Sequence, residues 1–231
     1  MTATGNHHNE YPLNALDLHA FNRVIRHRIR NFCAGVKMTI ERIGDRAAQV
    51  DPQISERCSL VISELGHLQT FTDRMELLFD AVPPCREMPL FQLIVKIREF
   101  FVHAFPATTF ELVGPEVDVV LSHGSWLILA LTELAMNAGE AAAFDGAVEF
   151  VWRTNPVVQF CIVNDGDPIP AGIPTDPPKP FFTERSRHNG LGLAIVYRLC
   201  LEMNAGFSLQ TTEDGRTAVS ITCSEEEVQR G

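Results

Sequence analysis

The 231-residue chain contains no uninterrupted apolar run of about 18 residues, which excludes a membrane-spanning helix. It has no surplus of positive charge. Its formal net charge is -10, so a global field cannot draw it onto nucleic acid, and an anionic ligand must be held by local donors. Its six cysteines (Cys33, Cys58, Cys85, Cys161, Cys200 and Cys223) form no CxxC pair and no metal-ligand spacing. They read as the reduced thiols of a cytoplasmic protein. There is no internal repeat and no low-complexity run. The opening residues "MTATGNHHNEYP" lack the apolar centre of a signal peptide, and 1–12 read as a disordered tail. What remains is ordinary for a globular protein, 45% hydrophobic and 21% charged, and is long enough for one large domain or two small ones.

Residues 13–48 predict one long helix. Leu18, Phe21, Ile25, Ile29, Phe32, Val36, Ile40, Ile43 and Ala47 fall at spacings of three and four. Pro52 in "VDPQ" marks a break. A second helix is expected over 54–80, where Ile54, Cys58, Val61, Leu65, Leu68, Thr72, Met75 and Phe79 form a heptad seam. Two long helices and a short turn make an antiparallel hairpin. One hairpin cannot enclose two such seams, so a homodimeric four-helix bundle is expected. The Pro-rich stretch "AVPPCREMP" ends the hairpin. Beyond it helices and strands mix. Helices are predicted for "LFQLIVKIREFFVHAF", for "SHGSWLILALTELAMNAGEAAAF" with Ser122 or Ser125 as its cap, and for "GLGLAIVYRLCLEMNAG" ending at Gly206. Strands are predicted for "TTFELVG", "GAVEFVWRT" and "VVQFCIVN", with a hairpin turning at Asp214-Gly215. The fold class is α+β, a helical hairpin followed by a sheet layered with helices.

Four arrangements could carry chemistry. His27 lies in "RVIRHRIRNF", two positions from both Ile25 and Ile29 and so turned away from their stripe, with Asn31 one turn on. A solvated imidazole is a nucleophile at neutral pH, and Arg23, Arg26, Arg28 and Arg30 could steady a phosphate beside it. Glu133, Asn137 and Glu140 form a polar stripe on an otherwise apolar helix, and hard oxygen donors one turn apart suit Mg²⁺. Asn164 ends a strand before the turn at Gly166, where an amide could bond a heterocycle's amine. Gly190 and Gly192 sit where a loop of roughly 25 residues becomes a helix, a place where bare N–H groups bind phosphate. Each arrangement alone also has a plain structural reading as a solvated helix face or a common turn.

Their order along the chain is more specific, and it resembles the core of a two-component sensor histidine kinase over about residues 15–223. "HRIRN" is similar to that family's H box, "ELAMNAGEA" to its N box, "NDGDPIP" and "GLGLAIV" to its two glycine boxes, and "PFFTERS" to its phenylalanine box. The resemblance implies a dimerisation and histidine-phosphotransfer hairpin over 13–82 and an ATP-binding α/β sandwich of the GHKL, or Bergerat, type over 85–225. It implies that His27 takes the γ-phosphoryl group of ATP and passes it to an aspartate on a response-regulator receiver domain, with removal of that group as a further activity. An upstream sensor protein would supply the signal. Asn137 would hold Mg²⁺ and Glu133 would orient a water or the metal's shell. Asn164 and Gly166 would meet the adenine. Gly190, Leu191 and Gly192 would line the phosphate path, with Lys179 and Arg185 on the lid and Thr217 on the closing strand. Two competing functions are a phosphotransfer adaptor that keeps His27 but uses no ATP, and a serine kinase of the same ATPase superfamily, which the hairpin disfavours.

The sequence departs from the family's pattern at named places. Arg28 stands where an acid usually follows the histidine, Asn164 where Asp is more common, Glu140 where a base is frequent, and His188 in place of a glycine. For the missing acid, the hairpin geometry offers Glu76 or Asp73 as carboxylates that could reach His27 from the second helix. The competing expectation is that they are solvated or pair with Arg23 or Arg30.

Overall fold

The computed structural model describes residues 15–80, 82–117, 119–142, 146–166, 178–183, 189–223 and 228–229. The chain divides into two compact units, 1–81 and 82–231.

The first unit is an antiparallel hairpin of α1 (Ala15–Ala47) and α2 (Pro52–Phe79). Pro52 opens the second helix rather than merely breaking the chain. It occupies the first turn, where its missing N–H is no loss, and Asp51 caps it by accepting from Gln53 N at 3.0 Å. The predicted apolar stripes divide between two faces. On α1, Arg26, Cys33 and Gly44 are buried against α2, with Ile29, Val36 and Ile40 beside them. Phe21, Ile25, Phe32 and Ile43 instead remain exposed. On α2, Cys58 and Thr72 are buried, whereas Ile54, Val61 and Leu68, a strict heptad set, are exposed. Each helix thus has one face spent inside the hairpin and a second apolar face left over.

The second unit is built on a five-stranded sheet in the order β2-β4-β5-β7-β6. Its strands are β2 (Thr109–Val113), β4 (Ala147–Arg153), β5 (Gln159–Asn164), β6 (Gly206–Thr211) and β7 (Thr217–Thr222). Only the β2–β4 pair is parallel. Three helices, α3 (Leu90–Ala104), α4 (Gly124–Ala141) and α5 (Gly192–Glu202), pack beside one another on the sheet, with α4 in the middle. Alternation of buried residues along β4 (Val148, Phe150, Trp152) marks the face they cover. Rings cross this core in a row: Phe101 stacks on Phe110 with centroids 4.2 Å apart, and Phe150 lies 6.0 Å from Phe160. The two-residue strands β1 (Met88–Pro89), β3 (Val120–Leu121) and β8 (Val228–Gln229) form a small separate sheet. They are too short for periodicity to announce.

Two helix ends differ from expectation. Neither Ser122 nor Ser125 caps α4. The cap position is His123, whose side chain makes no capping bond, and Ser125 Oγ accepts from the N–H of Arg86 at 2.8 Å instead. Helix α5 stops at Glu202, before Gly206. Asn204 takes the left-handed turn (φ +52°), leaving Gly206 free to start β6.

Candidate functional site

In the second unit, three elements converge on one place. From α4, Glu133 and Asn137 project toward the first residue of α5. A Cβ built on Gly192 would lie 2.9 Å from Asn137 Nδ2 and 3.2 Å from both Asn137 Oδ1 and Glu133 Oε2. Glycine is therefore required at Gly192 if those polar groups are to stay where they are. Glu140, two turns along α4, is exposed. Leu191 before α5 is buried, and no side chain caps the helix, so its first N–H groups carry the partial positive charge of an open helix end. Gly190 has φ +61° and its carbonyl accepts from Phe181 N–H at 2.9 Å. A side chain there would strike the backbone of Phe181 and Phe182.

The sheet supplies the floor. Asn164, at the end of β5, is in register with Thr217, at the start of β7. Asn164 is 4% exposed, and its Nδ2 is buried with no hydrogen-bond partner; Thr217 Oγ1 is likewise buried and unpartnered. Two orphaned polar atoms side by side cost free energy unless a ligand satisfies them. Gly166 lets the chain pass close to α4, where a Cβ would collide with Ala141 O at 1.7 Å. Asp165 is occupied, since its Oδ2 accepts from Ala147 N at 3.0 Å. Lys179 is exposed in the described part of the preceding loop, and Arg185 lies outside the described residues.

No group of three or more His, Cys, Asp or Glu side chains suited to a metal occurs among the described residues. Asn137 with Glu133 still fits Mg²⁺, which takes few protein ligands and fills its shell with phosphate oxygens and water. A separate recess of about 710 Å³, lined by Leu90, Ile94, Leu112 and Trp152, contains none of these residues.

In the first unit, His27 is exposed, as its position off the stripe predicts. Its Nδ1 lies 3.3 Å from Asn31 Nδ2. Either the amide donates to the ring or, reversed, its oxygen accepts from Nδ1–H. The acids expected near His27 are engaged elsewhere: Arg30 binds Asp73 at 2.8 Å and Glu76 at 2.5 Å, which also raises the guanidinium's pKa, Glu76 first and Asp73 second. The arginine cluster is likewise divided. Arg26 is 3% exposed and paired with Asp80, so of the four only Arg23 and Arg28 stand in solvent free to meet a phosphate.

The family described as histidine kinase-, DNA gyrase B-, and HSP90-like ATPase matches residues 123–227, the stretch that holds Glu133, Asn137, Asn164, Gly190, Gly192 and Thr217. Residues 123–227 are thus similar to that ATPase family. With the hairpin ahead of them, they give the chain a layout like that of a two-component histidine kinase core. The chain is 23% identical over 216 residues to the sensory histidine kinase/phosphatase NtrB of Rhodobacter capsulatus, covering 86% of this chain and 60% of that protein. It is 22% identical over 196 residues to NtrB of Rhizobium leguminosarum bv. phaseoli, covering 76% and 50% respectively. It thus spans little more than half the length of these relatives. Among solved structures, the catalytic domain of histidine kinase ThkA shares the fold with TM-score 0.56 at 21% identity, over 62% of this chain and 97% of that one. Full-length ShkA, solved with AMPPNP, aligns with TM-score 0.64 at 14% identity, over 85% of this chain and 45% of that one. No helix among the described residues is long and apolar enough to cross a membrane.

Proposed function

We propose that this chain is an ATP-dependent protein-histidine kinase that phosphorylates His27 and passes the group to an aspartate of a response-regulator receiver domain. The observation that carries the reading is the pair of buried, unpartnered atoms Asn164 Nδ2 and Thr217 Oγ1 at the sheet's end, taken with the Asn137–Glu133–Gly192 cradle. A purine edge satisfies the first pair, and a triphosphate with its metal fits the second. An adaptor that used no nucleotide would have no reason to leave these groups open.

In this reading residues 85–225 bind ATP and residues 13–82 dimerise and carry the phosphoryl group. Asn137 holds Mg²⁺, with Glu133 orienting its water, and the metal when bound neutralises charge on the phosphates. Gly190, Leu191 and Gly192 bring backbone N–H groups to the phosphates, Lys179 reaches them from the loop, and Arg185, outside the described residues, is a second candidate cation for them. His27 attacks through Nε2. With the Asn31 amide turned so that Oδ1 accepts from Nδ1–H, the proton is held on Nδ1 and the Nε2 lone pair is exposed. Asn31 thus serves where an acid at position 28 does not. The leftover apolar faces of α1 and α2 join two copies in a four-helix bundle. Six unpaired cysteines agree with a cytoplasmic site of action, and an upstream sensor brings the signal. Dephosphorylation of the partner is a second activity of the same hairpin, as the names of the NtrB relatives suggest.

The test is a titration of Mg-ATP into the purified chain, followed by transfer of γ-labelled phosphate. Binding with acid-labile, alkali-stable labelling is expected. Absence of binding would leave the adaptor as the better reading.

A further inference from the structure

Among the described residues, the floor of the nucleotide site contains no group of fixed sign. Asn164 and Thr217 face each other across β5 and β7, and Val148 is the register partner of Asn164 on its other side. The nearest carboxylate in sequence, Asp165, is bonded to Ala147 N. An amide offers a donor and an acceptor side by side and exchanges them by turning over, and a hydroxyl donates or accepts.

We infer that Asn164 makes this a purine site open to 6-oxo as well as 6-amino purine nucleotides, an inference that rests on the nucleotide-binding reading above. Adenine presents the N6 donor beside the N1 acceptor, which match Oδ1 and Nδ2. Hypoxanthine and guanine present the O6 acceptor beside the N1–H donor, which match the same amide turned over. The buried Nδ2, unpartnered in the structure, finds an acceptor in either case. An ionised carboxylate at this position has acceptors only. It pairs with N6–H but sets its charge against O6 in the same pose, and so rejects the 6-oxo base. Asparagine removes that rejection while keeping the shape of the site.

The experiment is calorimetric titration of the full chain with Mg-ATP and with Mg-ITP, in wild type and in Asn164→Asp. ITP differs only at the base edge in question, without the 2-amine of guanine. Wild-type dissociation constants should agree within about tenfold, the scale of one neutral hydrogen bond gained or lost. Asn164→Asp should widen the gap to about a hundredfold or more in favour of ATP, since a buried charge then faces O6 unpaired. A wild-type gap beyond about a hundredfold, or an unchanged ratio in the variant, overturns the inference. If circular dichroism shows that Asn164→Asp does not fold, Asn164→Ala decides: equal weakening of both nucleotides is expected, and loss confined to ATP refutes. ATP binding with ITP excluded defeats this inference alone, whereas failure of ATP itself to bind defeats the underlying reading as well.

Discussion

Gly192 lies so close to Asn137 that a single added carbon would come within 2.9 Å of the amide nitrogen. The contact joins the start of α5 to the polar stripe of α4, and the crowded atoms are the ends of flexible side chains rather than backbone. Gly192→Ala should therefore fold, with a melting temperature within a few degrees of wild type, because alanine also favours the helix by about 1 kcal/mol over glycine. Displacing Asn137 and Glu133 should nevertheless weaken Mg-ATP binding by about tenfold or more, the loss of at least one charge-assisted contact. Asn137→Ala should abolish measurable binding. Calorimetry on both variants checks this, and unchanged affinity in either places the metal and phosphates elsewhere.

Asp80 is the partner of Arg26, whose side chain is 4% exposed. Asp80→Ala would leave a guanidinium buried in the hairpin with no counter-charge. The expected cost is about 3 kcal/mol, the lower end for breaking a buried pair because Asp80 keeps 24% of its own surface. Urea unfolding followed by helical circular dichroism measures it. Asp80→Asn, which keeps one hydrogen-bond acceptor, should lose less.

The hairpin, the main strands, the turn at Asp214-Gly215 and the glycine-marked start of α5 were legible because each rests on local rules of spacing, turn chemistry and backbone freedom. The division of the apolar stripes was not. The apolar residues of α1 span an arc wide enough for two partners, and periodicity cannot say that Cys33 turns to α2 while Phe32 turns to solvent. The pairing of Arg26 with Asp80 was hidden for a related reason, whereas that of Arg30 with Glu76 and Asp73 was one of the two expectations for those acids. A basic run reads as one cluster along the sequence, but consecutive helical residues point about 100° apart, and their acids lie on another helix. Asn164 was singled out as a strand-end amide and Thr217 by the family resemblance, yet that the two stand unpartnered side by side emerges only from strand register.

Because Arg30 already holds Glu76 and Asp73, neither carboxylate is expected to act on His27. Glu76→Gln and Asp73→Asn should leave the initial rate of autophosphorylation within about threefold of wild type. Each should cost no more than about 1 kcal/mol in stability, as for part-exposed ion pairs. A loss of a hundredfold in rate with normal stability would return Glu76 or Asp73 to the histidine.

Phe21 and Phe32 are 61% and 66% exposed on the same side of α1. Burying one such ring contributes roughly 1.5–3 kcal/mol, and a symmetric interface buries each twice. Phe32→Glu should therefore convert a micromolar solution from dimer to monomer in sedimentation velocity. Wild type sedimenting as a folded monomer at that concentration would remove the bundle from the reading.

The proposed nucleophile is tested by separating chemistry from orientation. His27→Gln should form no acid-labile phosphoprotein, while nucleotide affinity stays at the wild-type value because the ATP site is built from other residues. His19, which lacks an asparagine one turn on, should not substitute for it. Asn31→Ala leaves the nucleophile in place but removes the bond that fixes the ring's tautomer. A neutral hydrogen bond worth about 1 kcal/mol sets roughly a fivefold preference, so the rate of phosphoryl transfer should fall by about that factor. Asn31→Asp, which restores an acceptor toward Nδ1–H, should recover the rate or exceed it. If Asn31→Ala were as inert as His27→Gln, the residue would be acting on the phosphoryl group rather than on the ring. A wild-type rate in Asn31→Ala would mean that the imidazole needs no orienting partner at all.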